Sequence, residues 1–174
     1  MKTTTHARAR LAPEALIEIP LTRGMVAVID AADFDLVAGF KWYAKKHGKT
    51  FYAATNGPRP ERRQLQMHRL ILGLPHDDER ETDHVDGDGL NNRRSNLRTA
   101  ARQQNNCNKG LQVNNSSGFK GVHWHVTDKL FIARIQKDGR RIYLGHFKDP
   151  SEAARAYDRA AAEHHGAFAR LNFP

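Results

Sequence analysis

The chain has 174 residues, 39% of them hydrophobic and 27% charged, which suits one ordinary domain or two small ones. Lys and Arg number 28 against 19 Asp and Glu. Because these cations neutralise phosphates, the surplus favours a nucleic-acid partner, and a merely basic soluble protein is the alternative.

The only cysteine, Cys107, excludes an intramolecular disulfide and a Cys-rich zinc site, and it favours the cytosol. No apolar stretch is long enough to span a bilayer, so we expect no membrane partner.

The first residues, 1–15, are basic, and we expect a flexible tail because no apolar segment of the secretory type follows them. Residues 16–54 predict a β-rich beginning, with a short apolar strand at 25–29 and two strands around the turn at 47–49. Between these strands, Asp30 or Asp33 is placed to cap a short helix.

Residues 64–74 predict a strand end that continues into a helix, which Gly73 and Pro75 terminate. The following residues, 76–108, are polar and rich in Gly, Asn, Arg and Asp. A plain surface loop is one interpretation, but loops of this length in compact domains are usually functional.

The second half of the chain changes character after a polar segment at 109–117, which we interpret as a linker. Three strands are predicted at 119–126, 130–137 and 140–147, with a two-residue hairpin turn at Asp138-Gly139. Asp149 then caps a helix that begins with Pro150 and ends near Gly166. The pattern predicts a three-stranded antiparallel sheet with one Ala-rich helix packed across it.

The residues with the most chemical content lie at 82–106. Asp83 and His84 are adjacent on a predicted short strand, so their side chains point to opposite sides of it. Asp83 can supply an oxygen ligand to a hard cation, and His84 can deprotonate a water near neutral pH. Asn105, on a predicted helix after Thr99, is the candidate for a second oxygen ligand. Taken alone, an Asp-His pair is usually surface decoration and an Asn-rich loop is usually a set of turns.

The combined order of short motifs is far more specific than any one of them. In chain order they are His68-Arg69-Leu70, Asp83-His84, Asp86-Gly87, Asn91-Asn92, Asn96-Leu97-Arg98 and Asn105-Asn106. With these motifs, residues 16–108 resemble an HNH endonuclease of the phage and intron-homing type, which has the ββα-metal fold. The resemblance implies hydrolysis of DNA phosphodiester bonds, leaving a 3′-OH and a 5′-phosphate.

The same resemblance implies a role for each matching residue. Asp83 would bind the metal, His84 would be the general base, Asn96 would hold the long loop through backbone hydrogen bonds, and Asn105 would be the second metal ligand. The sequence departs from a literal His-Asn-His pattern at 83 and 105, which leaves the metal preference open. Two oxygen ligands favour Mg²⁺ or Mn²⁺ over Zn²⁺. Arg69 is a candidate phosphate clamp or a packing residue, and the role of His68 is open.

The C-terminal residues 118–174 resemble an AP2 domain, a DNA-binding fold known from plant transcription factors and from fusions to phage HNH nucleases. The matching motifs are Gly121-Val122, Ala133-Arg134-Ile135, Tyr143-Leu144-Gly145, Phe147, Glu152–Asp158 and Ala169–Phe173.

Strand alternation divides the predicted sheet into two faces. The residues expected to face the helix are Val122, Trp124, Phe131, Ala133, Ile135, Ile142 and Leu144. Those expected to face outward are His123, His125, Ile132, Arg134, Gln136, Arg141 and Tyr143. An outer face with Arg, Gln, His and Tyr fits a DNA major groove, whereas a solvated face with incidental charges is the alternative. His123 and His125 stand where plant relatives carry Arg, which predicts weaker and pH-sensitive binding.

Together these observations predict an α+β protein with an HNH nuclease module and a small AP2 domain. We expect a monomeric, metal-dependent endonuclease that acts on double-stranded DNA, and the resemblance implies the cytoplasm of a phage-infected bacterial cell. The alternatives are a non-catalytic DNA-binding regulator with a decayed nuclease half, and an RNA-binding or RNA-cleaving protein, which the lack of stacked-aromatic RNA motifs disfavours.

Overall fold

The computed structural model describes residue 12 and residues 15–57, 60, 63–112 and 114–174. The chain divides into two compact units, Met1–Arg98 and Thr99–Pro174. Strands and short helices are mixed in both units, which confirms the predicted α+β class. Most of the tail predicted at 1–15 lies outside the described residues. None of the helices in the described ranges is long and apolar enough to cross a membrane.

The first unit consists of short strands and two short helices. In chain order they are β1 (Leu16–Pro20), β2 (Val26–Asp30), α1 (Phe34–Val37), β3 (Tyr43–His47), β4 (Thr50–Asn56), β5 (Gln64–Gln66), α2 (Met67–Ile71) and β6 (Glu81–His84). β1 and β2 form one antiparallel hairpin, and β3, β4 and β5 form a second antiparallel sheet in that order.

The core of the first unit follows from the register of the first hairpin. Ile17 lies opposite Ile29 and Ile19 lies opposite Ala27, so these apolar side chains share one face. Burial of this face against the helices and β3–β4 stabilises the unit through the hydrophobic effect. The buried members of this cluster are Ile19, Leu21, Ala27, Ile29, Val37, Trp42, Ala44, Ala53, Met67, Ile71 and Leu97.

A short helix follows β2 as predicted, but the expected caps are wrong. Asp30 and Asp33 occupy the N-cap positions of a 3₁₀ turn and of α1, yet neither side chain makes a capping hydrogen bond. Both carboxylates instead accept from arginines more than sixty residues along the chain. The difference arises because an arginine offers a carboxylate a full positive charge and several N–H donors in one plane, whereas a helix start offers single backbone N–H groups.

β6 pairs with β7 (Leu97–Ala100), and α3 (Arg102–Asn108) follows directly. The boundary between the two units falls within β7, so α3 belongs to the second unit. The predicted helix after Thr99 is therefore present in the described chain.

The second unit is a three-stranded antiparallel sheet with a long helix packed on it. Its sheet has the order β10–β9–β8, where β8 is Val122–His125, β9 is Leu130–Lys137 and β10 is Arg140–Phe147. The helix α4 (Pro150–His165) begins at the N-cap Asp149, whose Oδ1 accepts from the Ser151 N–H at 2.8 Å, and it ends at Gly166. Buried alanines of α4 let the helix approach the sheet closely.

The predicted hairpin turn is present, with positive φ at both Asp138 (49°) and Gly139 (76°). The first strand is shorter than predicted and begins at Val122 instead of 119. The preceding backbone turns because the Phe119 carbonyl accepts from Asn115 and Ser117, at 2.8 and 3.1 Å. The end of the segment interpreted as a linker is thus hydrogen-bonded into the second unit.

Two residues of the sheet lie on the predicted face but have an exposure that alternation does not predict. Trp124 lies opposite Phe131 on the helix side, with ring centroids 4.9 Å apart, but it is 43% exposed because β8 is an edge strand. Ile132 lies on the outer face as predicted, yet it is only 2% exposed. Its neighbours across the sheet are His123 and His146, whose side chains share that face.

Candidate active site and nucleic-acid interface

The loop between β6 and β7 is held against β2 by backbone hydrogen bonds. The Val28 N–H donates to the Leu90 carbonyl at 2.9 Å, and the Asn92 N–H donates to the Val28 carbonyl at 2.7 Å. These bonds use the open edge of β2, so that the loop continues the hairpin as a short parallel bridge at Asn91. A polar segment with few apolar residues is thereby fixed at one position in the first unit.

Two ion pairs secure the end of the same loop. Arg93 Nε donates to Asp30 Oδ1 at 2.9 Å, and Arg94 donates to Asp33, with a shortest distance of 2.7 Å. Asp33 is 1% exposed, and a buried carboxylate needs a charged partner to offset the loss of hydration. The two carboxylates expected as caps therefore position the loop that follows His84 and ends at Asn96.

Gly89 lets the loop pass close to β4. A Cβ added at this position would lie 2.4 Å from the Phe51 carbonyl oxygen and 2.6 Å from a ring carbon of Tyr52. A side chain here would push the loop away from the β4 strand, which carries Tyr52.

Asn96 holds the ends of the loop together. Its Oδ1 accepts from the Asp86 N–H at 3.0 Å, and its Nδ2 donates to Asp86 Oδ1 at 2.9 Å and to the Asn91 carbonyl at 2.8 Å. These are bonds of the kind that the family resemblance implies for this residue. Burial raises the pKa of Asp86, but hydrogen bonds from the Asp88 N–H, Asn91 and Asn96 outweigh it and leave this pKa below its usual value.

Asp83 is buried and forms an ion pair with Arg98. Its side chain is 4% exposed, and Oδ2 accepts from Arg98 Nε at 2.7 Å and from a terminal guanidinium nitrogen at 2.6 Å. The pair joins the neighbouring strands β6 and β7. Carboxylate oxygens are the ligands that a hard metal ion prefers, but a cation at Asp83 would have to share the carboxylate with the Arg98 guanidinium.

His84 lies on the same strand and is 5% exposed. Its Nε2 is 3.4 Å from Asn92 Oδ1, and Asn92 is itself fully buried and donates from Nδ2 to the Leu90 carbonyl at 3.0 Å. Burial lowers the pKa of His84, although the hydrogen bond to Asn92 Oδ1 and the charges of Asp86, Asp83 and Asp88 oppose the effect. The lowered pKa means that the imidazole is neutral near neutral pH, the form that can accept a proton.

Two aromatic rings contact the His84 imidazole. The His68 ring lies 5.1 Å away at an interplanar angle of 89°, and the Tyr52 ring lies 5.6 Å away. His68 and Tyr52 also contact each other, with centroids 5.4 Å apart. Burial raises the pKa of Tyr52, with smaller effects of the Asp83 and Glu81 charges, so its phenol stays neutral.

The guanidinium of Arg69 forms hydrogen bonds with the protein's own backbone. It donates to the backbone carbonyls of Arg80, Pro75 and Asp78, at 2.9, 2.6 and 3.0 Å. Three such bonds hold the segment after α2 in place and occupy much of the planar fork that would clamp a phosphate. The arrangement favours the structural alternative for this residue.

The predicted site residues do not all lie in one unit. Asp83, His84 and Asn96 lie in the first unit, whereas Asn105 lies half-buried on α3 of the second. Within the described ranges no cluster of three or more His, Cys, Asp or Glu side chains is arranged to hold a metal ion. The role of Asn105 as second ligand stays a prediction.

The outer face of the β8–β9–β10 sheet contains the predicted DNA contacts. Directly paired residues share a face, and the pairs Arg134 with Tyr143 and Gln136 with Arg141 lie on the same face as His123, which pairs with Ile132. Tyr143 is 52% exposed. Burial lowers the pKa of His123, as do the charges of Arg134, His125 and Arg141.

A β-bulge adds a residue to this face that alternation alone does not reveal. The pairing register of β10 shifts between Tyr143 and Gly145, so His146 lies opposite Ile132 on the outer face. His146 Nε2 and His125 Nδ1 lie 3.4 and 3.1 Å from the same carboxylate oxygen, Oδ2 of Asp128. Two imidazoles and a carboxylate thus stand beside the arginines of this sheet face.

Sequence reasoning did not assign the neighbours of His84 and Asp83. Asn92 was visible as part of the Asn91-Asn92 motif, and Arg98 as part of Asn96-Leu97-Arg98. Tyr52 carried no such motif, because its contact with His84 depends on how β4 packs against a loop more than thirty residues away.

Comparison with known proteins finds relatives of both parts of the site. L560 of Acanthamoeba polyphaga mimivirus, described as an uncharacterised HNH endonuclease, is 31% identical over 156 residues, which cover 86% of this chain and 76% of the relative. Protein 3.8 of Escherichia phage T7 is 30% identical over 127 residues, covering 73% of this chain and 98% of that protein. No family model matches the chain.

A second group of relatives matches only part of the chain. Dehydration-responsive element-binding protein 2A of Arabidopsis thaliana is 43% identical over 68 residues, which are 38% of this chain and 20% of the plant protein. An AP2-like ethylene-responsive transcription factor of the same plant is 37% identical over 83 residues. The length and identity of the match to the viral protein, together with the buried Asp83–His84 pair, show that the chain belongs to the HNH endonuclease family.

Proposed function

We propose that the protein is a metal-dependent DNA endonuclease in which His84 is the general base and Asp83 binds a divalent cation. The observation that carries the proposal is the buried Asp83–His84 pair, in which each side chain has its own set of partners. The reaction is hydrolysis: a water oxygen forms a bond to phosphorus, the bond to the 3′ oxygen breaks, and the departing oxygen takes a proton from solvent.

His84 would accept the proton of the attacking water through one specific nitrogen. The Asn92 amide donates to the Leu90 carbonyl, so its oxygen faces His84 Nε2. Because an amide oxygen only accepts, Nε2 carries the ring proton and Nδ1 keeps the lone pair. Asn92 is then the positioning residue that fixes the tautomer of the base, as the carboxylate does in a catalytic triad.

Asp83 offers the donor chemistry that a hard cation needs. Mg²⁺ is commonly bound through one or two protein carboxylates, with substrate phosphate and water completing its shell, so a site with few protein ligands fits. When bound at Asp83, the cation supplies positive charge to the phosphate and the leaving oxygen. Mg²⁺ is the first choice and Mn²⁺ the second, and Asn105 remains the proposed second ligand.

The second unit would target the enzyme to double-stranded DNA. Arg134, Gln136 and Arg141 offer hydrogen-bond donors of the kind that contact base edges in the major groove, and His123, His125 and Tyr143 flank them. Partial similarity to plant AP2 proteins supports this use of the sheet.

The proposal is tested by incubating supercoiled plasmid with the full chain, with and without Mg²⁺ and with a chelator. We expect cleavage only with the metal. His84→Ala should lower kcat by roughly 10²–10⁴-fold, the usual contribution of a general base, while DNA affinity stays near the wild-type value.

A matched control is His76→Ala, which removes an imidazole from an exposed position between α2 and β6. This variant should cut at the wild-type rate. Plasmid that stays intact in Mg²⁺ and Mn²⁺ although the protein binds it would favour the non-catalytic regulator instead.

A further inference from the structure

His68 is among the most completely buried polar side chains of the first unit. It is 5% exposed and lies on α2, next to Met67 of the apolar core. Its ring meets the His84 ring edge to face, and it meets the Tyr52 ring in the same way. Neither the family resemblance nor the proposed mechanism assigns it a role.

The polar atoms of His68 are not placed for proton transfer. Nε2 lies 3.0 Å from Gln66 Oε1, and Nδ1 is buried without a hydrogen-bond partner among the described residues. Burial, followed by the influence of His84 and Arg69, lowers the pKa of His68 to about 3. The ring is therefore neutral at every pH at which the enzyme would work, and its contacts with other rings are what remain.

We propose that His68 is a positioning residue, whose buried ring acts with Tyr52 to fix the orientation of the His84 imidazole. This inference rests on the proposed role of His84 as the base. Asn92 contacts one nitrogen of His84 at 3.4 Å, and a contact at one atom does not define the plane of a ring. Two further rings, at 5.1 and 5.6 Å and at different angles, pack against the imidazole and restrict the orientation of its plane.

Orientation of a base matters because proton transfer requires alignment with the attacking water. Misplacement of a catalytic group by about 1 Å can cost roughly 100-fold in rate. A ring of the right size should perform this role whether or not it has nitrogens, and this separates a positioning role from an acid, base or ligand role.

The test compares His68→Phe with His68→Ala in the full-length chain. We expect His68→Phe to keep kcat within about threefold of the wild type, and His68→Ala to lose roughly 10- to 100-fold in kcat, with KM for DNA unchanged in both. Equal loss in the two variants would overturn the proposal, because the imidazole nitrogens themselves would then be required. Full activity of His68→Ala would overturn it as well.

A control separates positioning from loss of stability. Ile71→Ala removes a buried side chain of the apolar cluster from the same helix, and should destabilise the unit while keeping kcat near the wild-type value. If Ile71→Ala lowers kcat as much as His68→Ala, the effect is general softening of the fold and the proposal fails.

A spectroscopic readout makes the outcome independent of cleavage. Nitrogen-15 NMR of the His84 ring distinguishes its two tautomers, and we expect one tautomer in the wild type and in His68→Phe, and averaging of the two in His68→Ala. An unchanged His84 spectrum in His68→Ala would overturn the proposal. If the wild type cuts no DNA at all, the proposed function fails, whereas the NMR comparison still decides whether His68 fixes His84.

Discussion

Asp83 takes part in two opposing requirements, since it is buried beside Arg98 and is also the proposed metal ligand. Asp83→Asn keeps the size of the side chain and removes its charge. We expect cleavage in Mg²⁺ to fall by roughly 100-fold or more, because a bound cation supplies several kcal/mol of transition-state stabilisation. Plasmid cleavage rates measured over a Mg²⁺ titration check this, and Mn²⁺ should restore activity only in part.

The same substitution leaves Arg98 without its carboxylate, so thermal unfolding must be measured alongside. Arg98→Gln is the matched variant, because it breaks the same ion pair and leaves Asp83 charged. If Asp83→Asn and Arg98→Gln lose activity equally, the ion pair, and not metal binding, accounts for the loss.

Because His68 is buried and neutral, we expect the free energy of unfolding of the first unit to decrease in acid. The pKa of His68 is about 3 in the folded chain against 6.5 for a free imidazole. Above 6.5 neither state takes the proton, so stability is full there. As pH falls from about 6.5 towards 3, only the unfolded chain binds the proton, and the free energy of unfolding decreases. His68→Phe should lack this contribution.

Urea unfolding at pH 7.5 and pH 4.5 checks the prediction. Trp42 is buried in the first unit and reports on it when Trp124 is replaced by Phe. The midpoint should fall more steeply with acid in the wild type than in His68→Phe. Parallel falls would mean that His68 is protonated in the folded state.

The contrast between assigned and missed residues has a physical cause at this scale. Asp83, His84 and Asn96 could be placed from sequence because their chemistry and spacing form a recognisable pattern. His68 belonged to a recognised motif but had no assigned role, and Tyr52 belonged to none, because their contacts with His84 arise from packing of separate elements, which no local pattern encodes. The caps expected at Asp30 and Asp33 failed for the same reason, since distant arginines compete for their carboxylates.

At the scale of elements, local rules placed the second sheet well. The strands at 130–137 and 140–147, the Asp138-Gly139 turn and the Asp149-Pro150 helix start all depend on neighbouring residues, and each appears where it was predicted. The β-bulge at Tyr143/Gly145 was not predicted, because it depends on pairing with β9. It returns His146 to the outer face and explains why that residue was missed.

The outer face of this sheet makes a separable prediction about base contacts. Arg134→Ala and Arg141→Ala should reduce discrimination between target and random DNA, since one good Arg–guanine contact contributes about 1–3 kcal/mol. The rate of cutting at saturating enzyme should change little, because Asp83, His84 and Asn96 lie in the other unit and neither arginine is a proposed metal ligand. Competition binding with the two kinds of DNA measures the difference. A uniform loss on every sequence would identify phosphate contacts instead.

At the scale of the whole molecule, the two units divide the proposed work between them. Each has its own apolar clusters, with Ile29 and Met67 in the first and Ala133 and Tyr157 in the second. The fragment Thr99–Pro174 contains all of the sheet β8–β10 and α4, and none of Asp83, His84 or Asn96. Because this fragment contains both apolar clusters of the second unit, it should fold alone.

This fragment should bind double-stranded DNA and leave it intact in any metal. It carries 12 Lys and Arg against 6 Asp and Glu, so its affinity should depend on salt. If the fragment neutralises six phosphates, its affinity for DNA should fall by about 10³-fold when the salt concentration rises from 50 to 200 mM. Fluorescence anisotropy with a labelled duplex measures how the affinity depends on salt, and gel electrophoresis of plasmid measures cutting.

The full chain should bind DNA more tightly than the fragment, because a second unit on the same DNA raises the effective concentration. Cleavage by the fragment would contradict the assignment of catalysis to Asp83 and His84. Binding that does not change with salt would contradict the proposal that this sheet contacts DNA phosphates.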